Sequence, residues 1–344
     1  MRAVLLPGDG RVEVVERPKP SPGPNEVLVR VRASAICASD LSLYYGTPIV
    51  GGDIAAEGGQ IVPGHEPAGD VVEVGSNVER VTVGDRVAVH LSVGCWSCEY
   101  CRAGYIQQCA EWKCIGFDLD GGDADYLVVP QQCCILLPPE LSYEAGALIV
   151  DNFGTQWHTQ KRLGVSGVHN VAVIGIGPMG AAGVLCAKGR GARVIAVDVL
   201  EHRLDLAREL GADECVDASS DRALSQILEL TRGRGVDIAI DCTGKDPGVN
   251  LALDATAKLG KVAIIGECQQ ATISPSNQMI RKELDVMGAW VFPIFEYDEI
   301  FRFILDRNIR IERTISDRVG IADAPDAFER FEKRLTEKVM FVWD

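Results

Sequence analysis

The run Val171-Ala-Val-Ile-Gly-Ile-Gly-Pro-Met-Gly180 constrains the fold more than any other stretch of the chain. Four apolar, mostly β-branched residues read as a buried parallel strand. Glycines at 175, 177 and 180 then lead into an apolar helical run over residues 181–187. The first glycine permits a tight turn, the second lets a pyrophosphate approach the backbone, and the third lets helix pack on strand. A phosphate there would rest on the free amides of the helix N-terminus, where the peptide dipoles favour negative charge.

Glycine spacing alone is a common pattern, so its surroundings carry the reading. Eighteen residues past Gly180, a second strand-like run, Arg193-Val-Ile-Ala-Val197, ends at Asp198. A carboxylate at that point accepts hydrogen bonds from the adenosine ribose and repels a 2′-phosphate, which selects NAD over NADP. The ordinary alternative is an Asp that caps the helix beginning near Leu200. Strand signals at 171–174, 194–197, 238–240, 261–265 and 284–287 alternate with helical runs at 200–210, 222–231 and 249–259. Such alternation predicts a doubly wound parallel sheet, an α/β nucleotide domain.

The first half reads differently. Val12-Glu-Val-Val-Glu16, Glu26-Val-Leu-Val-Arg-Val-Arg32, Asp70-Val-Val-Glu-Val-Gly75 and Gly84-Asp-Arg-Val-Ala-Val89 alternate in period two between Gly and Pro breaks. That pattern predicts short antiparallel strands, and it gives way near residue 150. The tail from 297 onwards carries two helical stretches and a last strand at 338–342. A chain of 344 residues exceeds one ordinary core, so two domains are expected.

A net charge of −15 argues against nucleic-acid and anionic-membrane partners. No apolar run reaches the roughly 18 residues of a membrane span. The opening Met1-Arg-Ala-Val-Leu-Leu-Pro-Gly8 breaks too early for a signal peptide, so the twelve cysteines are expected to be reduced and the protein cytoplasmic. Their use is then metal binding or packing.

Cys95, Cys98, Cys101 and Cys109 have the most specific spacing in the chain. Four thiolates within fifteen residues of a polar, Gly-containing loop can close a tetrahedral structural zinc site with no open position. Cys37-Ala-Ser-Asp40, Gly64-His65-Glu66 and Asp151 in Ile149-Val-Asp-Asn-Phe-Gly154 form a different set. One Cys, one His and one carboxylate, with a fourth position left open, make a catalytic zinc shell. Singly, each has a commonplace explanation as a buried thiol, a strand-end His or a helix-capping Asp. Their joint appearance with a four-cysteine loop and a dinucleotide turn favours the metal.

These motifs, with Gly84-Asp-Arg-Val87, stand in the order found in the zinc-containing medium-chain dehydrogenases/reductases, and the chain resembles that superfamily over essentially its whole length. Asp151-Asn-Phe-Gly-Thr-Gln-Trp-His-Thr159 and the ending Val339-Met-Phe-Val-Trp-Asp344 look most like the L-threonine and polyol dehydrogenases. The resemblance implies a GroES-like, mainly β catalytic domain from residues 1–150 and 290–344, around a Rossmann NAD domain at 151–289. It implies two zinc ions per subunit and a homodimer or homotetramer assembled through the edge strand near Trp290. By matching position, Cys37, His65 and Asp151 would hold the catalytic zinc, Glu66 would be a nearby or exchangeable ligand, and Ser39 would take the alcohol proton. Asp198 and Arg203 would hold the adenosine end of NAD. Pro178 and Met179 would lie by the pyrophosphate, and Ala289 and Trp290 would border the nicotinamide.

One position departs from the pattern. Many relatives carry His five residues after the zinc Cys, as the outer member of a proton relay, where this chain has Ser42. A serine passes a proton but does not store one near neutral pH. Tyr44, Tyr45 and the polar loop 51–60 are the alternative termini. The implied reaction is hydride transfer between a secondary alcohol and NAD, with zinc polarising the hydroxyl. Polar residues around 39–45 and at Gln60 rank a polyol, cyclitol or sugar first as substrate, and threonine or another secondary alcohol second. A non-catalytic NAD- and zinc-binding protein and a zinc-independent quinone or enoyl reductase are the competing classes.

Overall fold

Apolar runs of four to six residues become fully buried strands only where both sheet faces are covered, and Asn170–Ile174, Arg193–Asp198 and Val236–Asp241 are of that kind. The computed structural model describes residues 1–49 and 61–344. The chain divides into two compact units: Met1–Gly154 with Phe292–Arg302 and Ile315–Asp344, and Thr155–Val291 with Phe303–Thr314.

The second unit is built on a six-stranded parallel sheet. Its order is Glu214–Asp217, Arg193–Asp198, Asn170–Ile174, Val236–Asp241, Thr256–Ile264 and Asp285–Gly288. Strand order reverses between Asn170–Ile174 and Val236–Asp241, and ligands of such sheets bind beyond the strand ends at that point. Helices Pro178–Gly189, Glu201–Leu210, Ala223–Leu230 and Asp246–Ala255 alternate with the strands.

Three features depart from expectation. Glu214–Asp217 is a strand, but of its four residues only Val216 is fully buried, so it has no strong apolar signature. The helix expected over 249–259 ends at Ala255, and β-branched Thr256 opens the next strand, where exposed Leu259 takes a φ of 63°. Residues 303–314, expected with the catalytic domain, pack with the nucleotide unit because Phe303 and Ile309 close over Gly189.

The first unit holds a seven-stranded sheet in the order Ile315–Val319, Lys338–Val342, Glu26–Ala35, Pro67–Val74, Arg86–Val89 and Cys134–Leu136, with Tyr126–Pro130 also on Glu26–Ala35. All pairs are antiparallel except the first. Val27, Val29, Val31, Val71, Val87, Val89, Leu127 and Val129 form its core. Ile315–Val319 is a strand with no strong signature of its own, because its period-two burial is carried by only two apolar residues. Among the described residues no helix is long and apolar enough to cross a membrane.

Candidate active site and metal centres

Register in the first unit brings distant residues together. Ser34 lies opposite Pro67, and Ala35 N–H donates to Glu66 O at 3.3 Å, so Cys37 follows one strand where His65 and Glu66 precede the next. Asp151 arrives from another direction, on a widened π-type turn, Ile149–Phe153, that follows the Ser142-capped helix Tyr143–Leu148. One donor atom from each of Cys37, His65, Glu66 and Asp151 lies within 4.8 Å of all the others. Asp151 Oδ2 is 3.9 Å from Cys37 Sγ and 3.5 Å from His65 Nε2.

Asp40 orders this cluster from behind. Fully buried, it accepts the Cys37 backbone N–H at 2.8 Å through Oδ2 and faces His65 Nδ1 at 3.0 Å through Oδ1. A proton held on Nδ1 leaves Nε2 as a lone-pair donor facing the cluster, the usual outer support of a metal-binding imidazole. Glu66 Oε1 accepts from the buried Lys338 ammonium at 2.6 Å, while Glu66 Oε2 has no hydrogen-bond partner among the described residues. Burial alone would lower the His65 pKa, yet Asp40 and Asp151 raise it well above its ordinary value. The cluster therefore calls for positive charge, and thiolate, imidazole and carboxylate together suit zinc. The residues fit that ion.

Cys95, Cys98, Cys101 and Cys109 bring their sulfurs within 4.8 Å of one another. Backbone N–H groups of Cys98, Cys101, Cys95 and Glu111 donate to these sulfurs at 3.3–3.4 Å. A hydrogen bond from Ser97 draws the Cys95 thiol down to about 6, whereas burial pushes Cys101 up to about 12. Four thiolates this close need a cation to coexist. All twelve cysteines are free thiols.

The glycine turn of the second unit has the local geometry its motif requires. Gly175 has φ of 86°, and a Cβ on Gly180 would stand 1.8 Å from the Gly175 carbonyl oxygen. Gly177 caps Pro178–Gly189, with Pro178 in the first turn and Met179 beside it. Asp198 Oδ2 accepts the Ile176 N–H at 2.6 Å, while Oδ1 accepts from Val199 and Leu200 at 2.7 and 3.0 Å. The carboxylate thus braces the glycine turn and the chain leading into the next helix, Glu201–Leu210. Arg203 stands 3.8 Å from Asp198 Oδ2 and beside Gly177. Ala289 and Trp290 follow the edge strand Asp285–Gly288, with Trp290 37% exposed.

Two family models match: an alcohol dehydrogenase GroES-like domain over residues 23–139 and a zinc-binding dehydrogenase over 178–306. The chain is 37% identical over 336 residues to the uncharacterized zinc-type alcohol dehydrogenase-like protein YphC of Escherichia coli strain K12, covering 95% of this chain and 94% of that protein. The chain belongs to the zinc-type alcohol dehydrogenase family. This dehydrogenase is also 33% identical to an L-threonine 3-dehydrogenase of Rhizobium johnstonii (95% of this chain, 93% of the relative). To a sorbitol dehydrogenase of Bacillus subtilis it is 32% identical (96% and 93%). A crystal structure of an E. coli CFT073 alcohol dehydrogenase complexed with NADH superposes with a TM-score of 0.89 at 25% identity, covering 100% of this chain and 99% of that one.

Within the dehydrogenase, one of the two tyrosines considered for the relay, Tyr45, has its hydroxyl committed elsewhere. Tyr44 stacks on Phe328 at 6.3 Å, and the exposed Tyr45 hydroxyl bonds Glu332 at 2.5 Å, which raises its pKa to about 12. The loop 51–60, including Gln60, lies outside the described residues. Ser39 starts the helix Asp40–Tyr44 without spending its hydroxyl on a cap bond, and Ser42 Oγ accepts from Ile49 N–H at 3.4 Å. Sequence reasoning gave no role to Asp40, although it lies three residues after Cys37, and had no signal for Lys338, which is 272 residues from Glu66.

Proposed function

We propose that this dehydrogenase oxidises a secondary hydroxyl of a neutral polyol, cyclitol or sugar with NAD, in a reaction that runs back to the ketone. The carrying observation is the convergence of Cys37, His65 and Asp151 on one point, with Glu66 held beside it. Bound zinc supplies Lewis acidity to a substrate hydroxyl, and bound NAD supplies the hydride acceptor. Cys37, His65 and Asp151 would hold the ion, and three ligands would leave it able to take the substrate hydroxyl. Asp40 fixes the His65 ring, and the Ser39 hydroxyl, which is not spent on a helix-cap bond, passes the alcohol proton on towards solvent. Asp198 receives the adenosine ribose, with Arg203 beside it, and the turn from Gly175 to Gly180 receives the pyrophosphate. Ala289 and Trp290 border the nicotinamide.

Charge supports a neutral substrate. Between Arg32 and Arg80 the chain carries no Lys or Arg but seven acidic residues. The buried cation at the cluster, Lys338, is spent on Glu66. A phosphate or carboxylate substituent would meet no counter-charge from this stretch, which favours a neutral polyol over an anionic substrate. Reduced cysteines fit a cytoplasmic enzyme, and the edge strand Asp285–Gly288 is the face through which a homodimer or homotetramer assembles.

The test is NADH formation across polyols, cyclitols, sugars, threonine and small secondary alcohols, with NADP in place of NAD as a control. Turnover of a neutral polyhydroxy substrate, lost in Cys37→Ala and weak with NADP, supports the proposal. Turnover confined to threonine would move the second-ranked substrate to first. Bound zinc and NAD without turnover of any alcohol would instead favour the binding-protein class.

A further inference from the structure

Lys338 opens the last strand, Lys338–Val342, which pairs antiparallel with Glu26–Ala35 so that Met340 faces Ala35. Ile36 N–H donates to Val339 O at 3.0 Å, and the strand thereby runs alongside the chain just before Cys37. The Lys338 side chain has no solvent exposure. Its ammonium donates to Ile36 O at 3.1 Å and to Glu66 Oε1 at 2.6 Å. Ile36 precedes Cys37, and Glu66 follows His65. One buried cation therefore grips the chain next to two of the candidate zinc donors.

Glu66 is equally buried, its Oε1 lies 3.9 Å from His65 Nε2, and its Oε2 is unpartnered among the described residues. Glu66 is thus within reach of an ion held by the other three donors, yet its charge is already answered by Lys338. Counting the four donor groups alone, ionised Cys37, Glu66 and Asp151 carry one negative charge more than a divalent ion supplies, and Lys338 lies against Glu66 to offset it. A buried carboxylate deprived of its cation seeks another, and the adjacent candidate is the metal.

We infer that Lys338 is a positioning residue that holds Glu66 off the zinc and so keeps the fourth position open to the alcohol. Without it, Glu66 closes the site as an additional ligand. This inference rests on the zinc reading of the cluster given above.

The experiment compares chelator-driven release of the zinc ion that Cys37→Ala lacks, in the full-length wild type, Lys338→Met, Lys338→Arg and the neutral pair Lys338→Met/Glu66→Gln. Lys338→Met is expected to release that zinc about tenfold more slowly, on the scale at which single supporting contacts change metal affinity. Its KM for alcohol should rise more than its kcat falls, because substrate must displace the carboxylate. Lys338→Arg and the neutral pair should release zinc within about twofold of wild type, well inside that scale. Faster or unchanged release from zinc-loaded Lys338→Met would overturn the inference and leave the zinc reading standing. So would slow release that persists in the neutral pair, since no Glu66 carboxylate remains there to bind. Wild-type protein that holds no zinc at this site would overturn both.

Discussion

The two sulfur-containing clusters solve opposite problems. Cys95, Cys98, Cys101 and Cys109 come from one loop and are held by N–H groups of that same loop. Cys37, His65, Glu66 and Asp151 span 114 residues between Cys37 and Asp151 and are gathered by strand register and a widened helical turn. The first set supplies four like donors and no opening. The second mixes donor types and is surrounded by charged supports, Asp40 and Lys338. A local site can tie down a loop, whereas a site assembled by tertiary structure can be tuned by groups that never touch substrate.

Several substitutions separate the two. Cys37→Ala should lower kcat/KM by more than about 10³-fold, the equivalent of several kcal/mol of lost Lewis-acid assistance, with little change in thermal stability. Cys98→Ser should do the reverse. Metal-dependent folding of its loop is lost, so the melting temperature falls and chelator sensitivity rises, while the molecules that remain folded keep their alcohol KM. A Cys98→Ser protein as stable as wild type would dissolve the contrast.

Asp40→Asn removes one of the two acceptor oxygens that hold Cys37 N–H and His65 Nδ1. Zinc affinity at the assembled site should drop about 10–100-fold, measured by competition with a chelator, and the four-cysteine site should be unaffected.

Protonation gives a smaller effect. His90 is fully buried beside Tyr297 and Phe292, and burial lowers its pKa to about 3. Its neutral form contributes stability that is complete above its unfolded pKa of about 6.5 and is lost as pH falls towards about 3. Between pH 6.5 and 5 the loss amounts to roughly 2 kcal/mol. His90→Gln, which does not titrate there, should show a correspondingly shallower fall in denaturation midpoint. Parallel curves for the two proteins would remove His90 from the account.

How much of this was legible in the sequence follows the same division. The four-cysteine loop and the glycine turn are written in contiguous residues, and the structure brings each set together. Cys37, His65 and Asp151 were legible only because familiar motifs flank them. Asp40 and Lys338 act through contacts that sheet pairing creates, and neither carries a local pattern. Asp123 is similar: buried against Ser34 Oγ at 2.6 Å, it sits where a Cβ on Gly64 would collide with it, a relation no spacing encodes. Short strands such as Glu214–Asp217 were invisible for a different reason. They gain their place by extending an existing sheet edge rather than by their own apolar content.

The most direct measurement is zinc content per subunit by mass spectrometry in wild type, Cys37→Ala and Cys98→Ser, taken alongside NADH production. Two ions in the wild type and one in each variant, with activity lost where Cys37 is replaced, is the result expected of one structural and one catalytic centre. Full zinc content in Cys37→Ala, or activity that survives the loss of its ion, would contradict it.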